Sequence, residues 1–507
     1  MIGNEMIGIR QSSKTVTGWI LPAHRAITLG VALSVSLAGC GKGPTAVFGW
    51  RENTEALIAP AKKAIQTVME DDFGTPVNLV GWERLPVNYG GVRASVGEGS
   101  TPQAITLTLA DPQLAQQIRK SMPVVWLSGA RTAEKFSQLV ESFDPQTLRL
   151  ELSGPHDRPI AAGDQLLIGF GHEMQLGRET YMKNCTHCHG VAGDGQGPTA
   201  KYLNPKPRDY RLGTFKFTST QASERATRDD LHRIVEYGIP GTYMPSFLLM
   251  KPEEKVAVVE YIRWLAMRGE MEKRLGDELA DYNEASIRSD AEKAKEAYKA
   301  ALKAGEKPEK PVSDSEALKV AATSFATYQT EEFPGVIDET ADFIADGWKR
   351  AEEESSLIVP KQARVADTAE SRERGRLLFM SNRTKCYTCH GPLGRGDGGA
   401  VDDFWPKPGT NEKYSERGLH DFWGNKLAPR DLTKGQYRGG RRPLDLYRRM
   451  FAGIKGTPMP AFGTVLKDEE IWDLVNYVMN IPFESPSPSP VKPAAMAATS
   501  EPAAGDK

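Results

Sequence analysis

The chain has 507 residues, 39% hydrophobic and 26% charged, with a net charge of −2. That is long enough for about three domains with real cores, and the near-neutral balance gives no footing for nucleic acid. Only five cysteines are present, so a disulfide-stapled scaffold is excluded.

The N-terminus reads as a targeting segment. Arg10, Lys14 and Arg25 precede an apolar run, Ala26 to Ala38, that ends in Leu37-Ala38-Gly39-Cys40. The run is too short for the roughly 20 residues that span a bilayer, and its layout is that of a secretory signal. Leu-Ala-Gly-Cys resembles the lipobox of bacterial lipoproteins. That resemblance implies cleavage before Cys40, lipidation of its thiol, and a protein tethered to a membrane and facing the periplasm.

Residues 41–170 follow without a nameable motif. Leu57, Ile58, Ala61, Ile65 and Val68 recur at helical spacing. Ile105 to Leu109 and Leu148 to Leu152 alternate as half-buried strands do, and Pro123 to Leu127 is a short buried run. The expectation is a small α+β domain serving as a docking or spacer module.

Residues 172–270 open with a helix over Gly177-Arg178-Glu179-Thr180-Tyr181 that runs into Cys185-Thr186-His187-Cys188-His189. C-x-x-C-H is the attachment pattern of c-type haem. Two thiols add across the two porphyrin vinyl groups, and the adjacent histidine becomes the proximal ligand of the iron. Helices are expected at Asp230 to Val235 and Glu253 to Met267, with Gly241-Thr242-Tyr243-Met244-Pro245-Ser246-Phe247 between them. Residues 271–369 are acidic, 22 Asp and Glu against 14 Lys and Arg, and rich in helix formers. They read as a charge-laced helical insert that spaces or braces its neighbours.

Residues 370–483 repeat the earlier pattern. Gly375 to Phe379 answers Gly177 to Tyr181, and Cys386-Tyr387-Thr388-Cys389-His390 is a second attachment pentapeptide. Pro429-Arg430-Asp431 answers Pro207-Arg208-Asp209, and Asp445 to Arg449 answers the Asp230 helix. Gly456-Thr457-Pro458-Met459-Pro460-Ala461-Phe462 answers the Met244 loop, and Val475 to Val478 answers Val259 to Ile262. Gly193-Asp194-Gly195 and Gly396-Asp397-Gly398 pair as turn residues. The Pro- and Ala-rich tail from residue 484 reads as disordered.

Each repeat resembles a class I cytochrome c domain. The expected fold is therefore mainly α: two class I cytochrome c helical domains, preceded by the α+β domain and separated by the acidic insert. The resemblance implies two covalent haem c groups. It implies a crossing of first and last helices at Gly177, Tyr181 and Tyr261, and again at Gly375, Phe379 and Tyr477. It makes Met244 and Met459 the sixth iron ligands, opposite His189 and His390. A thioether is soft and neutral, and His/Met ligation raises the potential. The rival ligands are His172, His187, His232 and His420, none of which recurs in both repeats. Arg208 and Arg430 read as partners of haem propionates, or else of their neighbouring aspartates.

These features read as an electron carrier between a quinol-oxidising bc-type complex and a terminal oxidase or soluble cytochrome, without catalysis of its own. A dihaem peroxidase or a dehydrogenase subunit is the alternative, and a zinc site built on the C-x-x-C pairs is a third reading. The basic stretch of Arg438, Arg441, Arg442, Arg448, Arg449 and Lys455 suggests an acidic partner, or the insert, as its counterpart.

Overall fold

The structure is a computed structural model that describes residues 8–10, 46–133, 138–153 and 158–483. The lipobox reading at Cys40 and the tail from residue 484 lie outside the described residues. Two compact units emerge, one formed by Met1–Val359 with Ile454–Met459, the other by Pro360–Gly453 with Pro460–Lys507.

In the first unit, the short strands β1 (Gly8–Arg10) and β2 (Val80–Trp82) pair in parallel. Helices α1 (Glu52–Glu55) and α2 (Ala59–Phe73) lie between them in sequence. Six antiparallel strands then close a barrel: β3 (Val92–Val96), β4 (Ala104–Leu109), β5 (Pro123–Trp126), β6 (Gln138–Asp144), β7 (Arg149–Ser153) and β8 (Gln165–Ile168). Their order is β3-β4-β7-β6-β5-β8, closed by β8 on β3. Alternation drives this: Val92, Ala94 and Val96 face the interior with Leu150 and Leu152, while Arg93, Arg149 and Glu151 stay outside. A bulge between Val140 and Ser142 bends β6 as closure requires. The two alternating segments and the short buried run of the sequence are thus strands of a closed barrel, which leaves no exposed sheet edge.

The first haem-motif region follows. Helix α3 (His172–Asn184) leads into the single turn α4 (Thr186–His189); then come α5 (Arg228–Tyr237) and α6 (Pro252–Glu278). Helix α6 runs eleven residues past the expected end at Met267 and is buried on nearly every side from Ala257 to Glu272. It packs against α1, α2, α3, α5 and a helix of the insert. A helix covered on all faces needs no apolar stripe to mark its extent, and charges lie along it in pairs. Glu260 binds Arg228, and Glu270 binds Arg225 and accepts from Trp348 Nε1 at 2.8 Å. Glu272 meets Arg268 at 3.4 Å.

The insert forms α7 (Glu284–Lys303), α8 (Asp314–Glu331) and α9 (Phe333–Arg350). Helix α7 is the solvated, salt-bridge-laced element that its composition suggests, with pairs such as Arg288–Glu284 and Lys299–Glu296. Helix α9 is different: Phe333, Ala341, Ile344 and Trp348 join the core that surrounds α6. The acidic insert is therefore partly core, in the same unit as the first repeat.

The second unit repeats the helical plan with α10 (Ala369–Phe379), α11 (Cys386–His390), α12 (Pro443–Ala452) and α13 (Asp468–Asn480). A small hairpin, β9 (Leu419–His420) with β10 (Lys426–Leu427), sits in an insertion that the first repeat lacks. Among the described residues no helix is long and apolar enough to cross a membrane.

The expected helix crossings are present in both units. A Cβ on Gly177 would run into the Ala257 carbonyl, and one on Gly375 into the Asp473 carbonyl. The aromatic contacts lie beside them, Tyr181 to Tyr261 at 5.2 Å and Phe379 to Tyr477 at 5.5 Å. Gly375→Val should therefore destabilise the second unit by at least the about 1–3 kcal/mol of an overpacked core. Gly335→Ala, on an exposed part of α9 with open space around it, should be neutral or stabilising by up to about 1 kcal/mol. Urea transition midpoints of the two variants check both.

Candidate haem sites

Each attachment pentapeptide is delivered by the crossing helix. Cys185 ends α3 and begins α4, its backbone N–H donating to the Tyr181 carbonyl at 2.8 Å. Lys385, just before Cys386, takes a left-handed φ of 51°, a conformation rare outside glycine. Gly190 and Gly391 then stop the turns with φ of 75° and 73°.

A glycine-rich turn wraps back over each pentapeptide. Gly195 N donates to the His189 carbonyl at 2.9 Å and Gly396 N to that of His390 at 2.8 Å. Gly197 and Gly398 donate to the carbonyls of Cys188 and Cys389. These bonds correct the sequence pairing: Gly193-Asp194-Gly195 corresponds to Gly394-Arg395-Gly396, two residues before Gly396-Asp397-Gly398. The alternating glycines fix the turn, and an aspartate from either gap, Asp194 or Asp397, reaches the glycine after the histidine.

The histidines are oriented by backbone. His189 Nδ1 lies 3.3 Å from the Arg208 carbonyl, and His390 Nδ1 3.1 Å from that of Arg430. A carbonyl only accepts, so Nδ1 carries the proton and Nε2 is left as the electron-pair donor. Burial lowers the pKa of His189 to about 4 and pushes His390 down as well, which keeps both imidazoles neutral, the metal-binding form. Burial also pushes the Cys185 thiol up to about 12 and raises Cys386 and Cys389. None of the four pentapeptide cysteines is in a disulfide.

The duplicated Pro-Arg-Asp thus supplies a carbonyl to each histidine, which side-chain reasoning missed. The Arg430 guanidinium donates to the carbonyl and Oε1 of Gln436, both at 2.8 Å, and Asp431 turns to Thr433. The aspartate pairing weighed for Arg430 is not formed.

The methionine loops match bond for bond. Ile239 N donates to the Met244 carbonyl at 3.2 Å, as Ile454 N does to Met459 at 3.2 Å. Thr242 Oγ1 donates to the Ile239 carbonyl (2.8 Å) and accepts from Met244 N (3.1 Å). Thr457 makes the same pair with Ile454 and Met459 at 2.7 and 3.3 Å. The threonine hydroxyl is a brace that the repeated Gly-Thr-x-Met-Pro had already displayed. The rival histidines have other settings. His172 and His187 are exposed, His232 lies 4.0 Å from Glu236, and His420 stacks on Tyr414 at 3.9 Å.

The basic stretch is largely consumed within the fold. Arg442 pairs with Asp445, and Arg449 donates to the carbonyls of Arg438 and Gly440. Lys455 donates to Thr220 Oγ1 at 2.9 Å and to the Glu224 carbonyl at 2.5 Å. Arg441 is exposed.

The donors fit haem c: two free thiols, a neutral imidazole with Nε2 available, and a braced methionine loop in each repeat. Among the described residues no three His, Cys, Asp or Glu side chains group as a metal ion would need.

Comparison with known proteins agrees. The family model Cytochrome c matches two separate regions, residues 174–266 and 372–482. The chain thus carries cytochrome c domains in tandem, domains of haem-based electron transfer, with the barrel and the whole acidic insert outside the match. No curated protein matches. A chain of the Kuenenia stuttgartiensis reducing HAO-like protein complex is similar at 23% identity and a TM-score of 0.38, covering 61% of this chain and 96% of that one.

Met244→Ala and Met459→Ala should each remove one haem's share of the sulfur-to-iron near-infrared band of the oxidised holoprotein. An unchanged band in either variant would assign that iron a histidine instead.

Proposed function

We propose that the chain is a dihaem electron carrier, holding one covalent haem c in each repeat and passing single electrons outside the cytoplasm. Cys185, Cys188 and His189 hold one haem, with Met244 as sixth ligand; Cys386, Cys389, His390 and Met459 hold the other. The observation that carries this reading is the duplicated methionine loop with its identical threonine brace. Two loops built alike offer each iron a sixth ligand, and a six-coordinate iron exchanges electrons without binding substrate. Arg208 and Arg430 contribute the carbonyls that orient the histidines.

In this reading Cys40 carries the lipid anchor, and the protein serves as a membrane-tethered, periplasm-facing link. Its partners are a quinol-oxidising bc-type complex and a terminal oxidase or soluble cytochrome. The Leu-Ala-Gly-Cys junction supports the anchor, and the pair of haems supports the relay. Cys40→Ser should give protein that is uncleaved or no longer labelled by a radioactive fatty acid; full cleavage of the variant with a lipid-free wild type would sink the anchor.

The carrier reading is tested on holoprotein matured with haem. Pyridine haemochrome should return two haem c per chain, and carbon monoxide should leave the ferrous spectrum unchanged. Carbon monoxide binding, or turnover of peroxide, would transfer the protein to the dihaem enzymes.

A further inference from the structure

The two repeats present the same ligands and differ in what lies behind the proximal histidine. In the first, the ring of Tyr210 stands 5.4 Å from that of His189. The Tyr210 hydroxyl donates to that of Tyr181 at 2.5 Å, and Tyr181 donates to the Gly190 carbonyl at 2.8 Å. Both tyrosines are buried.

In the second repeat the corresponding residues are apolar. Phe379 follows Gly375 by four, as Tyr181 follows Gly177. Leu432 N donates to the Gly394 carbonyl at 2.7 Å, as Tyr210 N does to Gly193 at 3.0 Å. Phe379 lies 6.4 Å from His390. The crossing is thus built in the second repeat without either hydroxyl. Withdrawing hydroxyls from water costs free energy unless their bonds replace those to water, so the first repeat carries two polar groups that this fold does not require.

Their effect on a bound haem follows from charge. The ferric state carries one positive charge more than the ferrous, and a polar lining stabilises the more charged state while an apolar lining penalises it. The Pro-Arg-Asp arginines and the glycine-turn aspartates occur in both repeats and cancel in the comparison. The formal charge that does not cancel acts in the same direction. Residues 172–270 have 14 Lys and Arg against 12 Asp and Glu, and residues 370–483 have 19 against 14. The more positive surroundings of the second repeat favour its reduced haem.

We infer that the haem of the first repeat has the lower potential, set by the Tyr181–Tyr210 pair, so that electrons enter at the first repeat and leave from the second. The inference rests on the dihaem reading above. Tyr181 and Tyr210 are tuning and positioning residues, since they act through the histidine turn and its lining and not as iron ligands.

The test is a spectroelectrochemical titration of the full chain carrying both haems, in which the wild type should show two waves. Met244→Ala, by moving one of them, assigns the first repeat. Tyr181→Phe combined with Tyr210→Leu places the second repeat's residues, Phe379 and Leu432, at these two positions. It should raise the lower wave, shifting the electron's distribution between the haems by about tenfold, or about 59 mV for one electron. The upper wave and the near-infrared band should stay in place. Tyr210→Phe keeps the ring and guards against a folding failure; it should move the same wave the same way by less. A lower wave that stays put in both variants with two haems retained, or one that belongs to the second repeat, would overturn the inference. A wild type that retains no haem by pyridine haemochrome would overturn the reading beneath it.

Discussion

A side chain at Gly177 or Gly375 has nowhere to go. Each glycine lies against the carbonyl backbone of a crossing helix, Ala257 in one repeat and Asp473 in the other, and the rest of each site depends on that approach. The crossing fixes where α3 ends, and hence where Cys185 starts the next turn. From there the histidine, the glycine-rich turn and the Pro-Arg-Asp carbonyl follow in fixed hydrogen-bond order. Backbone atoms carry most of this scaffold, so the two sites agree closely while many of the side chains around them differ.

The same crossing sits in very different surroundings. Helix α13 packs mainly on α10 and α12, whereas α6 is enclosed by α1, α2, α3, α5 and α9. Enclosure forces the charges of α6 into pairs, because an unpaired buried ion is far costlier than a paired one. Glu260 receives the Arg228 guanidinium, and its carboxylate also accepts from Asn88 N at 2.8 Å. Glu352, just after α9, takes the Arg263 guanidinium at 2.6 Å. Buried pairs of this kind add little net stability over an apolar core. Their value is in register: each charge must find a partner of opposite sign, so the region before the barrel and the insert can meet α6 in few ways.

The duplication also separates what a haem domain requires from what this protein has added. Required in both repeats are the glycine crossing, the positive-φ glycine after the histidine, the carbonyl on Nδ1 and the threonine brace beneath the methionine. Added in one repeat are the buried tyrosine pair of the first and the β9–β10 hairpin of the second. The differences therefore direct attention to tuning and docking, and the shared features to holding the group.

By itself the sequence determined the local chemistry. Cys185 to His189, Cys386 to His390, the two methionine loops and the glycine–aromatic crossing residues were all legible, because each is a short pattern repeated twice in the same order. The alternation in residues 105–109 and 148–152 marked strands, since a pleated strand has a period of two. Tertiary structure alone decided the closure of six strands into a barrel, which depends on β8 pairing with β3 across some 70 residues. It decided the eleven-residue extension of α6, where burial on every side erased the amphipathic signal. It showed that the Arg208 and Arg430 carbonyls accept from the histidine Nδ1 groups, because a backbone oxygen is present at every residue and no residue type announces its use. It also drew Arg442, Arg449 and Lys455 out of the basic stretch into internal bonds. A charge written in sequence shows what a side chain can pair with; the folded chain decides which partner comes within reach.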